Sequence, residues 1–266
     1  MRRFSFWAIA STRFLSAAQK SLRIATALLL CLVLSGWSLP AFAASRISPR
    51  LEEQVLQILR EHPEAILESV QAYQQQKQQQ LSQAQQAFLQ QLKINPQTVI
   101  GESATTGAPE SKVVLVEFSD FQCPYCAQAH KTLKQFVANH QDEVKLVFKH
   151  YPLAAIHAQA LPAAKAAWAA DKQGKFWEFH DELFTQQDKL GEELYVAIAQ
   201  NLNLDLEQFN SDRASDAANA AIGQDIQLAT ALGIEGTPFF VMNGEAFTGA
   251  IGLADMEKIL ARAEKS

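Results

Sequence analysis

The chain has 266 residues, 48% of them hydrophobic and 19% charged, the proportions of a globular protein long enough to bury a sizeable core. A formal charge of -5 at pH 7 argues against nucleic acid as a partner, because phosphate binding favours a basic surface. Three cysteines, Cys31, Cys123 and Cys126, are too few for a disulfide-stapled scaffold.

Residues 1–43 hold Arg2, Arg3, Arg13, Lys20 and Arg23 but no Asp or Glu. The apolar run 24–37 covers 14 residues, short of the roughly 20 that span a bilayer. Pro40-Ala41-Phe42-Ala43 then supplies small residues at A-x-A spacing. The segment reads as a secretory signal cut after about Ala43; the competing reading is an uncleaved anchor. Arg2-Arg3 stand too far from the apolar run for a twin-arginine signal. Cys31 follows leucines rather than small residues, unlike a lipoprotein cysteine. Without this leader 18 basic residues face 28 acidic ones, a charge of -10, and two cysteines remain. The expected location is the periplasm or an equivalent oxidising compartment, where a lone thiol pair is a disulfide or a catalyst.

Residues 44–94 form an expected helical arm. Ser48 is placed to cap a first helix with Pro49 at its first position. Leu51, Val55, Ile58 and Leu59 share one face. His62-Pro63 interrupts the pattern, and Pro63 suits the start of a second helix. That helix carries Ile66, Val70, Tyr73, Lys77, Leu81, Ala84, Phe88 and Leu92 at steps of three and four. Glutamine supplies 12 of the 21 residues from 71 to 91, so the stripe is thin and the helix marginal alone. Three readings stay open: a homo-oligomer assembled through 48–92, packing back onto the chain's own domain, or a solvated low-complexity arm.

Residues 95–111 read as a linker, since Asn95-Pro96, Gly101, Gly107 and Pro109 break any period. A compact domain is expected over 112–266. Its predicted order is strand 113–118, helix 127–139, strand 144–150, helical pieces over 154–232, strands 239–242 and 246–248, and helix 253–264. The helical pieces break near Gly174, Gly191 and Asn203, and Asn243-Gly244 makes a favoured two-residue hairpin turn. Trp168, Phe176, Trp177 and Phe179 are expected to fill the core of the helical stretch, or else to line a groove near the site. Glu178, Asp181 and Glu182 read as a solvated helix face. Neither a Gly-rich phosphate loop nor a Ser-His-Asp pattern is evident.

The chemistry sits at Cys123-Pro124-Tyr125-Cys126. A buried strand ends, a short turn follows, and a helix begins at the first cysteine. Unsatisfied N–H groups and the helix dipole favour an anion there, so a Cys123 thiolate is stabilised and reactive near neutral pH. Cys126, one turn further in, is placed to resolve a mixed disulfide by attacking the Cys123 sulfur. Two other readings compete. A Cys-x-x-Cys can be half a zinc site, with His130 four residues on. Yet the chain has no second cysteine pair, and His140, His150, His157 and His180 lack ligand spacing. An inert staple gains little from so short a loop. No metal is therefore expected, and no cofactor beyond the redox-active Cys123–Cys126 disulfide. Far downstream, Thr237-Pro238 stands directly before a strand, where a cis-proline loop would lie. There the Thr237 backbone can pair with an extended peptide and hold its disulfide near Cys123.

The strand–Cys-x-x-Cys–helix unit, the distant Thr237-Pro238-Phe239-Phe240 and the closing hairpin and helix resemble the thioredoxin superfamily. Val116-Glu117-Phe118-Ser119-Asp120-Phe121-Gln122-Cys123-Pro124-Tyr125-Cys126 is similar to the motif of its exported DsbA-like branch. The resemblance covers about 110–266 and implies an α/β thioredoxin-like fold with an inserted helical domain near 154–232. It implies a thiol–disulfide oxidoreductase with Cys123 as nucleophile and Cys126 as resolving thiol. Pro124, Tyr125, Thr237 and Pro238 would shape the substrate groove, and Glu117 would be a buried proton acceptor for Cys126. Implied partners are cysteine-containing exported proteins and a membrane redox partner. Tyr125 departs from the histidine of the strongly oxidising members, which leaves oxidase, isomerase and reductase open. The readings from other classes are a non-catalytic, chaperone-like oligomeric binding protein and a zinc-binding module.

Overall fold

The computed structural model describes residues 48–263. The expected leader, with Cys31 and the cut after Ala43, lies outside the described residues. No helix among those described is long and apolar enough to cross a membrane. The described residues divide into two units, 48–70 and 71–263.

In the first unit, helix α1 (Pro49–Glu61) starts where the cap residues predict, with Ser48 Oγ accepting a hydrogen bond from the Leu51 amide at 3.2 Å. Helix α2 (Pro63–Ile94) restarts at Pro63, which needs no N–H partner in a first turn. Leu51, Val55, Leu56, Ile58, Leu59, Ile66, Leu67 and Val70 are all exposed.

The second unit is built on a five-stranded sheet in the order β1-β3-β2-β4-β5. The strands are β1 (Thr105–Gly107), β2 (Val113–Ser119), β3 (Val144–His150), β4 (Phe239–Met242) and β5 (Glu245–Thr248). β2 and β3 are parallel, and the other three pairings are antiparallel. Alternation along β2 feeds two cores. Val113 and Leu115 join Leu133, Phe136, Met256 and Leu260, from α4 (Pro124–Asn139) and α10 (Leu253–Ala263). Val114, Val116 and Phe118 meet Phe88, Leu92, Ala229 and Val241 on the opposite face. The hairpin turn is as predicted: Asn243 and Gly244 both have positive φ, 43° and 108°.

The segment 95–111 is not the linker its prolines and glycines suggest. It holds helix α3 (Pro96–Ile100), whose Val99 and Ile100 are buried, and edge strand β1. Gly107 is required in β1, because a Cβ there would lie 2.2 Å from the Val144 carbonyl oxygen of the neighbouring strand. A buried pair fixes the segment. Lys149 Nζ donates to the Ile100 carbonyl and the Ser103 hydroxyl, and lies 3.1 Å from Asp225 Oδ1. The end of the expected arm likewise belongs to this unit, through the burial of Phe88 and Leu92.

Between β3 and β4 stands the inserted helical region. It comprises α5 (Ala160–Asp171), α6 (Phe176–Thr185), a 3-10 turn (Gln187–Lys189), α7 (Glu192–Asn201), α8 (Leu206–Ala214) and α9 (Asp216–Ala231). Seven buried alanines of α5 let α6 and α8 approach closely. Phe176 and Phe179 fill this core as expected. Trp168 does not; it is half-buried beneath Lys172. Trp177 bridges two cores and donates its indole N–H to the Thr105 carbonyl.

Candidate active site

Cys123 is the N-cap of α4, with extended backbone at φ -72° and ψ 122°, and Pro124 follows as the first helical residue. The Cys123 carbonyl accepts the amides of Cys126 and Ala127, at 3.1 and 3.2 Å. The helix thus begins with its free N–H end at the first sulfur. Both cysteines are free thiols and buried, Cys126 completely. Pro124 and Tyr125 form an exposed ridge beside them.

The Cys123 thiol donates to the Thr237 carbonyl at 3.3 Å, so β2 and the start of β4 bring together residues 114 positions apart. The Thr237–Pro238 peptide bond is cis. The Thr237 hydroxyl is buried without a hydrogen-bond partner.

The two thiols are driven apart electrostatically. A hydrogen bond from Cys126, aided by Thr237 and the helix amides and opposed by desolvation, lowers the Cys123 pKa to about 5. Burial, with Cys123 beside it and the Glu117 carboxylate nearby, pushes Cys126 well above the ordinary thiol range. Glu117 lies on β2, and neither of its buried oxygens has a hydrogen-bond partner. Desolvation raises its pKa to about 7. All seven residues singled out by the sequence, Glu117, Cys123, Pro124, Tyr125, Cys126, Thr237 and Pro238, therefore lie at or beside the Cys-x-x-Cys turn.

Three further residues hold the turn in place, and sequence reasoning gave them no role. Asp120, fully buried, accepts from the Gln122 amide at 2.8 Å and the Leu153 amide at 3.0 Å, and lies 2.7 Å from His157 Nδ1. Its contact with a backbone amide two residues on is an Asx turn, a local signal present in Asp120-Phe121-Gln122. Gln122 Oε1 accepts the Gln159 amide. Gln187, from the insertion, donates through one amide nitrogen to the carbonyls of Phe121 and Cys123, at 2.8 and 2.9 Å. No sequence pattern links Gln187 to a turn more than 60 residues away. A groove of about 950 Å³ opens beside the turn and is lined by Pro124, Gln128, Lys131, Phe184 and Gln187.

A parallel β2–β3 pair, a Cys-x-x-Cys at the tip of the following helix, and an antiparallel hairpin that delivers Thr237 to the first sulfur define the thioredoxin-like class. The chain belongs to the thioredoxin family: residues 98–262, more than half of it, match the family model described as Thioredoxin. Among solved structures, a thioredoxin-like oxidoreductase from Silicibacter pomeroyi superposes with a TM-score of 0.60 at 32% identity, covering 65% of this chain and 99% of that one. The thiol-disulfide exchange protein alpha-DsbA2 of Wolbachia pipientis shares the fold at a TM-score of 0.59 and 24% identity, over 67% of this chain and 96% of that one. ScsC of Proteus mirabilis in a transitional conformation shares it at 0.58 and 23%, over 80% of this chain and 95% of that one. The expected thioredoxin-like fold and family are thus shown. Among curated proteins, the Na(+)/H(+) antiporter NhaA 3 of Salinispora tropica is 38% identical over 143 residues, which is 54% of this chain and 22% of that protein. The chain thus spans less than a quarter of the length of that relative.

Proposed function

We propose that the protein is an exported thiol–disulfide oxidoreductase acting on cysteine-containing exported proteins through a Cys123 mixed disulfide. The observation that carries this reading is the split between its two thiols. Cys123, buried at the N-cap of α4 and facing its free N–H end, is held as a thiolate by a pKa of about 5; Cys126 is sealed beneath it with its pKa pushed above the ordinary thiol range.

When the Cys123–Cys126 disulfide is the oxidant, a substrate thiolate attacks the Cys123 sulfur and the Cys123–Cys126 bond breaks. The leaving Cys126 thiolate takes a proton from Glu117, whose pKa of about 7 suits donation and return. A second substrate thiolate then attacks its own sulfur in the mixed disulfide and expels Cys123 as a thiolate. The substrate leaves oxidised by two electrons and the cysteine pair is reduced. Run backwards, the same steps reduce a substrate disulfide. Stabilisation of the Cys123 thiolate favours the reduced pair and therefore supports the oxidising direction. A membrane redox partner would re-oxidise the pair. The exposed ridge Pro124-Tyr125 and the Thr237 carbonyl offer the substrate a surface and a backbone acceptor.

A second element of the proposal is assembly of copies through the exposed first part of the 48–92 arm, since Phe88 and Leu92 already lie in the core of the second unit. Five apolar residues of α1 are exposed among the described residues, more than an isolated solvated helix needs. Full-length Val55→Glu/Leu59→Glu protein should lose mass in solution and isomerase activity while retaining simple exchange; unchanged mass would remove this element. The exchange activity itself is tested by refolding of a reduced, multi-cysteine substrate protein in a glutathione buffer. Wild type should accelerate disulfide formation or reshuffling, and Cys123→Ser should not. Equal rates with and without wild type would overturn the proposal.

A further inference from the structure

The insertion brings to the active-site helix a cluster that the sequence did not suggest. A ring nitrogen of His130 on α4, a ring nitrogen of His180 and a carboxylate oxygen of Asp181 on α6 all lie within 4.8 Å of one another. His130 Nε2 is 3.7 Å, and His180 Nδ1 3.1 Å, from the same Asp181 Oδ1. Ligand atoms about 2.0–2.1 Å from a tetrahedral ion stand roughly 3.3 Å apart, so these spacings need little adjustment. The donor set, two imidazoles and one carboxylate, is one that holds borderline divalent ions.

One further feature points the same way. His130, His180 and Asp181 all line one cavity of about 470 Å³ beside Trp177, which leaves room for a fourth, open position. Asp181 is correspondingly half-buried, not part of the solvated face its helical spacing suggested. One feature opposes a cation: Lys134 is ion-paired with the other oxygen, Oδ2. Lys134 is mostly exposed, so its ammonium can leave without disturbing Oδ1.

We infer that His130, His180 and Asp181 form a binding site for one divalent transition-metal ion, zinc being the test case, which fastens the insertion to the helix that carries the cysteine pair. The inference does not rest on the exchange activity, and its test is made on protein that lacks it. Cys123→Ser/Cys126→Ser protein, with no thiol in the described region, is titrated with zinc alone by calorimetry and by metal content after gel filtration. One equivalent should bind, and at a hundredfold excess over Kd the melting temperature should rise by roughly 5 °C or more. On the same background His130→Ala and Asp181→Asn should each weaken binding at least about tenfold. Lys134→Ala should strengthen it, because a competing cation is gone; this variant also keeps the test decisive should the histidine variant fold poorly. Absence of stoichiometric zinc on the cysteine-free protein, or affinity indifferent to Asp181→Asn and Lys134→Ala, would overturn the site.

Discussion

The sulfur of Cys123 lies 3.3 Å from the backbone carbonyl oxygen of Thr237, 114 positions along the chain. The Thr237 hydroxyl is a buried donor without a hydrogen-bond partner, available to the sulfur once Cys123 ionises, and it contributes to the lowered Cys123 pKa. Thr237→Val keeps the shape and removes that donor. The Cys123 pKa should rise by about one pH unit, the worth of one hydrogen bond to a charged group. Ultraviolet titration of the reduced protein reads it directly; an unchanged midpoint would show that the hydroxyl plays no part.

The low pKa of Cys123 also sets how the reduction potential follows pH. Below about pH 5 both thiols of the reduced pair are protonated, so two protons accompany two electrons. The potential should then fall by about 59 mV per pH unit. Above about pH 5 only Cys126 takes a proton, and the slope should halve to about 30 mV per pH unit. The sign for stability follows. A depressed folded-state pKa contributes stability to the reduced protein above the ordinary thiol value. That contribution is lost as pH falls through about 5. A single slope from pH 4 to 8 in a glutathione equilibrium would contradict the assignment.

Glu117 has the opposite sign. Its folded-state pKa is raised from 4.5 to about 7, so the folded protein holds a proton that the unfolded chain has released. Its contribution is full below about pH 4.5 and is lost as pH rises to about 7. Glu117→Gln should flatten the decline of the melting temperature across that window. It should also slow the step in which Cys126 gains or loses its proton. An unaltered pH profile of melting, with unaltered exchange rates, would reduce Glu117 to a packing residue.

Gln187 ties the insertion to the Cys-x-x-Cys turn by two hydrogen bonds from one amide nitrogen. Gln187→Ala leaves the Phe121 carbonyl without that partner and should cost about 1–3 kcal/mol in denaturant unfolding. Because the Cys123 carbonyl caps α4, the turn should also loosen and exchange should slow. Gln187→Glu should be worse than Gln187→Ala, since a carboxylate would face two carbonyl oxygens. Equal stability of all three proteins would show that the clamp is incidental.

Much of the domain was legible in the sequence because its signals are local. The valine-rich run of β2, Pro124 at the first turn of α4 and Asn243-Gly244 in the hairpin each specify their own conformation from adjacent residues. The site was legible for a related reason: Cys123 and Cys126 are three apart, and Thr237-Pro238, a weak signal alone, becomes specific beside that pair. What escaped was held by distant partners. The segment 95–111 has the composition of a linker, and distant partners make it a helix and a strand: the buried Lys149 that bonds the Ile100 carbonyl, and the pairing of β1 with β3, where Gly107 lies against Val144. Asp181 looked solvated by helical spacing because nothing in α6 shows that His130 and Lys134 of α4 will face it. Gln187 was invisible for the same reason.

The most direct test of the central claim is to trap the intermediate. Cys126→Ala protein, incubated with an oxidised substrate protein and quenched in acid, is digested without reductant and read by mass spectrometry. A stable intermolecular disulfide on Cys123 is predicted, released by added reductant and absent from Cys123→Ala protein. No adduct on Cys123, with the substrate disulfide intact, would contradict the assignment of this pair as an exchange site.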